Sequence, residues 1–253
     1  MGAACSGCLG ERPHQRYVCV FGLPGAGKGT QVDKLCEQFS EVLHISTGQL
    51  LRGFVEATRD LTDEKGRAVA ADIENCMATG DLVPDDVIIH VLEDCVEAAP
   101  EDAVLLLDGF PRDLSQAREL VKLLGGPPML SVMFEVGEEE MTRRILARNE
   151  GRADDNMEAL SHRLASFKQE TMPAVDHLEA TRFGGVEWVN GERGIDEIYK
   201  DFAALYRTRS EALARANGEI VKVLNPLKDV SGSDDDDEDE DAITASEKKP
   251  NTM

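Results

Sequence analysis

The sequence predicts an α/β fold in which a five-stranded parallel sheet is flanked by helices on both faces. Five short apolar runs are spaced along the chain, and segments with a hydrophobic repeat near 3.6 residues separate them. The runs are Tyr17–Phe21, Val42–Ile45, Val104–Leu107, Leu130–Val136 and Val186–Val189. A helix between successive strands carries the chain back across the sheet, so the strands are expected to be parallel.

A glycine-rich turn follows the first run. Residues 22–30 read Gly-Leu-Pro-Gly-Ala-Gly-Lys-Gly-Thr, and a helix-compatible segment begins at Gln31. This strand–turn–helix order directs backbone N–H groups and a helix N-terminus at phosphate oxygens, and Lys28 adds a mobile positive charge. Gly29 occupies the position where the general pattern has Ser or Thr, and Thr30 follows it. The segment predicts a nucleoside triphosphate site.

The remaining segments are arranged around this turn. Residues 47–79 contain two helical patterns and no strand pattern, which predicts a helical insertion. Residues 149–156 are polar and include glycine, which is typical of a mobile lid. The last helical pattern places Ile195, Ile198, Phe202 and Leu205 on one face.

Composition limits the possible functions. A chain of 253 residues accommodates one sizeable α/β domain, and no run approaches the ~20 apolar residues of a transmembrane helix. The net charge is −22, of which residues 234–241 supply eight negative charges. Such a balance argues against nucleic acid as a partner, because a phosphate backbone requires a basic face.

Six cysteines lie at positions 5, 8, 19, 36, 76 and 95. Cys5 and Cys8 have C-x-x-C spacing but no second pair, so a zinc site is not expected. Cys19 falls in an apolar run, and Cys36 and Cys76 fall in helical patterns. This placement predicts reduced, buried thiols in a reducing compartment.

Further polar motifs accompany the phosphate loop. They are His44-Ile-Ser-Thr-Gly-Gln-Leu-Leu-Arg52, Gly80-Asp-Leu-Val-Pro84, Leu107-Asp-Gly-Phe-Pro-Arg112 with Gln116, and the series Arg144, Arg148, Arg152 and Arg163 around residues 151–156. In this order the motifs resemble those of the nucleoside monophosphate kinases, and among them the short-lid adenylate kinases, over roughly residues 17–217.

The resemblance implies a P-loop kinase fold over residues 17–225, with a monophosphate-binding helical insertion at about 46–83 and a short lid at about 148–157. Residues 1–16 are then a flexible leader, and residues 226–253 form an acidic tail whose composition predicts disorder.

The reaction implied by the resemblance is reversible transfer of the ATP γ-phosphoryl group to AMP, with Mg²⁺ as cofactor, giving two ADP. The acceptor is a phosphate oxygen that is already largely ionised at pH 7, because its second pKa is about 6. No general base is therefore required. The reaction requires positioning and positive charge around an in-line transfer.

The resemblance also assigns roles to residues. Catalytic roles fall on Lys28, Asp108, Arg112, Arg148, Arg152 and Arg163. ATP contacts fall on Gly25, Ala26, Gly27, Lys28, Gly29, Thr30, Arg148 and, through its backbone carbonyl, Arg193. AMP contacts fall on Thr47, Arg52, Val83, Gly109, Phe110, Pro111, Arg112, Gln116, Arg152 and Arg163. Asp108 is expected to hold Mg²⁺ through water, and Arg144 is equally compatible with a surface position.

Two positions bear on the acceptor base. Relatives that act on pyrimidines tend to carry Ala where this chain has Thr47, and Asn where it has Gln116, so AMP is favoured over CMP and UMP.

The chain departs from the family pattern at Gln49, where Asp is usual, and at Arg193, where Gly is usual. Its lid is also two residues shorter than in typical short-lid relatives. A UMP/CMP kinase and a non-catalytic AMP-sensing module are the alternatives.

The N-terminus carries a lipidation pattern. Met1-Gly-Ala-Ala-Cys-Ser6 matches the sequence for myristoylation of Gly2. One myristoyl chain gives only marginal membrane binding, so Cys5 and Cys8 are expected to add palmitoyl groups. The prediction is a cytoplasmic domain tethered to the cytoplasmic face of a membrane, and the family resemblance implies a monomer.

Overall fold

Five parallel strands form one sheet in the computed structural model, which describes residues 16–59, 64–147, 157–180 and 185–216. The strands are β1 (Tyr17–Gly22), β2 (Val42–Ser46), β3 (Val104–Asp108), β4 (Leu130–Glu135) and β5 (Val186–Asn190). Their order across the sheet is β2-β3-β1-β4-β5, and every neighbouring pair is parallel. Each predicted apolar run coincides with one strand, although the fourth run extends one residue beyond β4, to Val136, so the predicted sheet is confirmed.

Helices connect the strands. They are α1 (Lys28–Gln38), α2 (Thr47–Arg59), α3 (Glu64–Thr79), α4 (Asp85–Ala98), α5 (Leu114–Leu123), α6 (Glu138–Ala147), α7 (Met157–Ser166), α8 (Met172–Glu179) and α9 (Ile195–Ala216), and a π-helical turn, Phe167–Thr171, joins α7 to α8. The predicted insertion consists of α2 and α3, as its two helical patterns indicated. Among the described helices, none has the length and apolar character needed to cross a membrane.

The core lies on both faces of the sheet because alternate residues of a strand point in opposite directions. Val18 and Val20 of β1 pack in one cluster with residues of α1 and α9. Tyr17, Cys19 and Phe21 pack in the other cluster with residues of α2, α3, α4, α5 and α8. The prediction of buried thiols is confirmed for Cys19, whose pKa is raised by burial.

The buried residues of helix α9 differ in part from those that its hydrophobic repeat predicts. Ile198 and Phe202 are buried as expected, and the Phe202 ring meets Phe134 edge-on with centroids 5.4 Å apart. Ile195, however, is 55% exposed at the first position of the helix. Tyr206 is buried instead, and its hydroxyl donates to Glu41 at 3.0 Å.

The strand order determines where a ligand can bind. From the central strand β1 the chain passes through β2 and β3 on one side and then returns to β4 and β5 on the other. The loops that follow β1 and β3 therefore diverge from a crevice at the carboxyl ends of the strands. Ligands bind at this switch point in open α/β sheets.

Gly22 ends β1 at a point where its backbone lies close to that of Phe134 in β4. Its φ is +147°, and a Cβ there would lie 2.8 Å from the Phe134 carbonyl oxygen and 3.1 Å from the Ala26 Cβ. No larger residue fits unless β4 or the loop moves.

The substitution Gly22→Ala is expected to lower the free energy of unfolding by about 1–3 kcal/mol, the cost of a strained backbone residue. Gly53→Ala in α2 is the control, because no atom lies within 4 Å of the added Cβ. It should raise stability by about 0.5–1 kcal/mol, since alanine favours a helix over glycine. Urea denaturation of both variants measures these changes, and an unchanged midpoint for Gly22→Ala would contradict the close contact.

Candidate active site

A cavity of about 550 Å³ opens at the carboxyl ends of β1, β2 and β3. Most of the predicted site residues line it: Gly25, Gly27, Lys28, Gly29, Thr30, Thr47, Arg52, Val83, Asp108, Gly109, Phe110, Pro111, Arg112, Gln116 and Arg163. They come from five separate parts of the sequence, and the fold brings them to one site. The predicted phosphate loop and the predicted monophosphate residues therefore face the same space.

Other predicted residues lie elsewhere. Ala26 is buried beneath the phosphate loop, where its methyl group packs in the core. Arg193 lies in the turn after β5, and its guanidinium pairs with Asp201 at 2.6 Å beside a separate shallow groove. Arg148, Arg152 and the predicted lid lie outside the described residues, as do the leader with Gly2, Cys5 and Cys8 and the acidic tail.

The phosphate loop is organised by its backbone. Gly27 precedes α1 in the left-handed region, with φ +88°, and no side chain caps the helix. The first N–H groups of α1 and the positive end of its dipole are thus directed at the cavity. The Lys28 ammonium donates to the carbonyls of Gly22 at 2.7 Å and Leu23 at 3.1 Å. The loop therefore presents the full positive charge of Lys28 and the partial positive charge of the α1 N-terminus, and both attract a polyphosphate.

Arg144 joins three parts of the structure. Its guanidinium donates to Glu140 at 2.6 Å within α6, to the Gly191 carbonyl at 2.9 Å and to the Gly25 carbonyl at 3.5 Å. Hydrogen bonds from Arg143 and Arg144 lower the pKa of the Glu140 carboxyl to about 2. Arg144 thereby holds the phosphate loop against the turn after β5. Sequence reasoning did not assign this role.

Asp108 ends β3 at the floor of the cavity. Its side chain is 16% exposed, its Oδ2 lies 3.8 Å from His44 Nε2, and its Oδ1 has no hydrogen-bond partner among the described residues. Burial alone would raise the pKa of this carboxyl, but His44, Lys28 and Arg112 together lower it below its usual value. Asp108 is therefore a carboxylate that can accept hydrogen bonds from a ligand shell.

Hydrogen bonds hold the segment after β3 in place. The Thr47 hydroxyl lies 3.2 Å from the carbonyl oxygens of both Asp108 and Gly109 and shares its proton between them. The Arg112 Nε donates to the Gly109 carbonyl at 3.1 Å. From the π-helical turn, the Thr171 hydroxyl donates to the Arg112 carbonyl at 2.8 Å. These contacts fix the guanidinium of Arg112 at the cavity wall.

Gln116 is almost fully buried, with 3% exposure, yet its side chain lines the cavity. Its Oε1 accepts from the Arg112 backbone N–H at 2.8 Å, and its Nε2 donates to Asp85 Oδ1 at 2.9 Å. Sequence reasoning missed Asp85. The Pro84-Asp85-Asp86 sequence reads as an ordinary helix start, and no local signal shows contact with a residue 31 positions away.

Arg52 and Arg163 add positive charge from the helical segments. The Arg52 guanidinium lies over the start of α2, 3.5 Å from where a Gly48 Cβ would stand. The Arg163 side chain packs across Gly80, which has φ +87° and whose Cβ would lie 2.8 Å from Arg163 Cγ. With Lys28 and Arg112, they surround the cavity with cations in a chain whose net charge is −22.

The chain is similar to characterised proteins of one family. A family model described as adenylate kinase matches residues 20–183. UMP-CMP kinase 1 of Oryza sativa subsp. japonica is 36% identical over 215 residues, covering 83% of this chain and 84% of that protein. An adenylate kinase of Leptospira biflexa serovar Patoc is 37% identical over 188 residues, covering 72% and 95%. Adenylate kinase isoenzyme 1 of Gallus gallus is 34% identical over 190 residues, covering 74% and 92%. The chain is about equally identical to adenylate kinases and to a UMP-CMP kinase. Overall identity therefore does not show which nucleoside monophosphate this chain accepts.

The contacts of Arg144 give a prediction for triphosphate binding. Arg144→Met removes the hydrogen bonds to Gly25 and Gly191, so the dissociation constant for ATP should rise about tenfold, as expected for losing about 1.5 kcal/mol of charge-assisted bonding. Arg143→Met is the matched control, because Arg143 pairs with the same Glu140 but is exposed and contacts neither loop. Isothermal titration calorimetry measures both variants. Equal ATP affinity in the two would show that Arg144 does not support the loop.

Proposed function

The chain belongs to the adenylate kinase family, and on that premise we propose that it transfers the γ-phosphoryl group of ATP reversibly to AMP, giving two ADP. One observation carries the proposal. The cavity brings the phosphate loop together with Asp108, several cationic side chains and a buried amide, Gln116. A donor polyphosphate and an acceptor monophosphate with its base can both be placed there.

The chemical step moves one phosphoryl group. The bond from the γ-phosphorus to the ADP oxygen breaks, and a bond from a phosphate oxygen of AMP to the same phosphorus forms. The acceptor oxygen is already ionised at neutral pH, since its second pKa is about 6. No proton has to be removed, so the chain needs no general base and acts through positioning and charge.

Cationic groups position the substrates and stabilise the negative charge of the phosphates. The Lys28 ammonium, at the start of α1, neutralises charge on the triphosphate, and the α1 N–H groups bind its oxygens. Arg52, Arg112 and Arg163 line the cavity and attract the acceptor phosphate and the group in transfer. We assign Arg148 and Arg152 to the same task; both lie outside the described residues.

Asp108 fits the outer shell of a Mg²⁺ ion. Its buried Oδ1, without a hydrogen-bond partner among the described residues, is the acceptor that water bound to such an ion requires. When bound, Mg²⁺ would neutralise charge on the β- and γ-phosphates of ATP. His44, Lys28 and Arg112 keep the Asp108 carboxylate ionised for that role.

Thr47 and Gln116 support AMP as the acceptor. The Gln116 amide faces the cavity and offers both a donor and an acceptor to the edge of a base. Thr47 lines the same cavity. A second candidate, a UMP/CMP kinase, is favoured by the similarity to the rice enzyme of that name.

The test compares acceptors directly. The purified chain is given MgATP with AMP, CMP or UMP, and nucleoside diphosphate formation is followed by chromatography. We expect AMP to give the highest kcat/KM. Faster transfer to CMP or UMP would support the second candidate, and binding of AMP without transfer would make the chain an AMP sensor.

Lys28→Met tests whether the transfer occurs at the phosphate loop. We expect kcat to fall by at least about 10³-fold, the scale of removing one cation from a phosphoryl-transfer transition state. Lys34→Met serves as the control, because Lys34 lies on the same helix and pairs with Asp196 at 3.0 Å. Unchanged activity in Lys28→Met would refute the role of the loop.

We also propose that the chain is a monomer tethered to the cytoplasmic face of a membrane, by a myristoyl group on Gly2 and palmitoyl groups on Cys5 and Cys8. The supporting observation is the sequence Met1-Gly-Ala-Ala-Cys-Ser6. Two acyl signals are required because one myristoyl chain binds membranes with a constant of only about 10⁴ M⁻¹.

Labelling of the full chain in eukaryotic cells with an alkyne analogue of myristate tests this proposal. The wild-type chain should be labelled and should sediment with membranes, whereas Gly2→Ala should be unlabelled and remain in the supernatant. Gly7→Ala, a glycine outside the acceptor position, should behave as wild type. An unlabelled wild-type chain would refute the tether.

A further inference from the structure

Two neighbours, Asp85 and the Arg112 backbone, bond to opposite ends of the Gln116 amide. The Gln116 Nε2 donates to Asp85 Oδ1 at 2.9 Å, and the Gln116 Oε1 accepts from the Arg112 backbone N–H at 2.8 Å. A carboxylate only accepts hydrogen bonds, and a backbone N–H only donates them. Rotation of the amide by 180° would place oxygen against oxygen at Asp85 and N–H against N–H at Arg112. The two neighbours therefore allow one orientation.

The fixed amide has capacity left for a ligand. Nε2 carries two protons and Oε1 has two lone pairs, and each of the two internal bonds uses one. One N–H and one oxygen lone pair remain, and their order along the cavity wall is set by Asp85 and Arg112. The burial of Gln116 makes a mismatch costly, because a polar group left unpaired there has no water to bond.

This order discriminates among bases by their hydrogen-bonding edge. Adenine and cytosine each present a ring nitrogen that accepts and an amino group that donates. Hypoxanthine, guanine and uracil present the reverse, a ring N–H that donates and a keto oxygen that accepts. An amide fixed in one orientation can pair fully with one of these classes only.

We propose that Asp85 is a specificity-determining residue, which positions Gln116 so that the site accepts monophosphates with an amino edge and rejects those with a keto edge. The proposal rests on the proposed function, because it concerns the acceptor of the same cavity. It adds a criterion that size does not supply: AMP is separated from IMP, and CMP from UMP, although the members of each pair have nearly the same shape.

The test uses Asp85→Asn, which has nearly the same shape but can donate as well as accept. With asparagine at this position, the reversed Gln116 amide finds a donor for its oxygen. The ratios of kcat/KM for IMP over AMP and for UMP over CMP should each rise about tenfold, the lower range of discrimination by one bidentate contact. The change should appear in KM for the monophosphate, with KM for ATP unchanged.

Asp86→Asn is the matched control. Asp86 is the next residue in the first turn of α4, is exposed, and carries the same charge at the same helix N-terminus. Its loss has the same effect on the helix dipole, so both ratios should stay at the wild-type value. Asp85→Ala is a second variant, which removes the acceptor altogether and leaves only the Arg112 N–H to orient the amide, so both ratios should rise, but by less than in Asp85→Asn.

Two results would overturn the proposal. Unchanged ratios in both Asp85 variants would show that Asp85 does not orient the amide. A parallel rise for CMP, UMP and IMP relative to AMP would show general loosening of the pocket, since a loosened pocket does not sort bases by their edge.

Binding separates this inference from the proposed reaction. Calorimetric dissociation constants for AMP, IMP, CMP and UMP give the same ratios without turnover. A wild-type chain that binds AMP and transfers nothing would refute the kinase reaction, and the binding ratios would still decide the role of Asp85. A chain that makes ADP from AMP, with ratios indifferent to Asp85, would refute only the inference.

Discussion

The site depends on the close packing of backbone against backbone around the phosphate loop. Gly22 touches the carbonyl of Phe134 in β4, and a Cβ at Gly191, in the turn after β5, would lie 3.3 Å from the Ala26 carbonyl. The loop is thus held by neighbouring strand ends, and Arg144 bridges it to the same turn. A backbone fixed in this way keeps its N–H groups directed outward before a ligand arrives, which lowers the cost of binding a polyphosphate.

The second constraint is electrostatic. The chain carries a net charge of −22, yet cationic side chains such as Lys28, Arg52 and Arg163 meet at one cavity. Asp108 is a carboxylate at the floor of that cavity, and the cations around it lower its pKa despite its burial. The acidic exterior and the basic cavity are compatible because interactions between exposed charges are screened beyond about 10 Å, whereas those inside the cavity are screened less. The cavity can therefore attract anionic nucleotides to an acidic protein.

Specificity for the base has a different origin from affinity for phosphate. Phosphate oxygens are met by long, charged side chains, which adjust to a range of positions. The proposed contact to the base is Gln116, a buried amide whose two ends are engaged by Asp85 and the Arg112 backbone. Arg112 belongs to both parts, since it lines the cavity and its backbone N–H donates to the Gln116 amide. The segment after β3, secured by Thr47 and Thr171, therefore joins the residue proposed to contact the base to a cation proposed to contact the phosphates.

The sequence by itself determined the five strands, the insertion formed by α2 and α3, the phosphate loop and fifteen of the residues that line the cavity. These features are local: apolar runs, helical spacing and glycine-rich turns act over a few residues, and parallel strands bring their carboxyl ends to one edge. Only the tertiary structure decided that Arg144 braces the loop, that Asp85 reaches Gln116, that Ile195 stays exposed and that Arg193 faces a separate groove. Those outcomes depend on which side chains meet across elements far apart in the chain, and no periodicity encodes such a meeting.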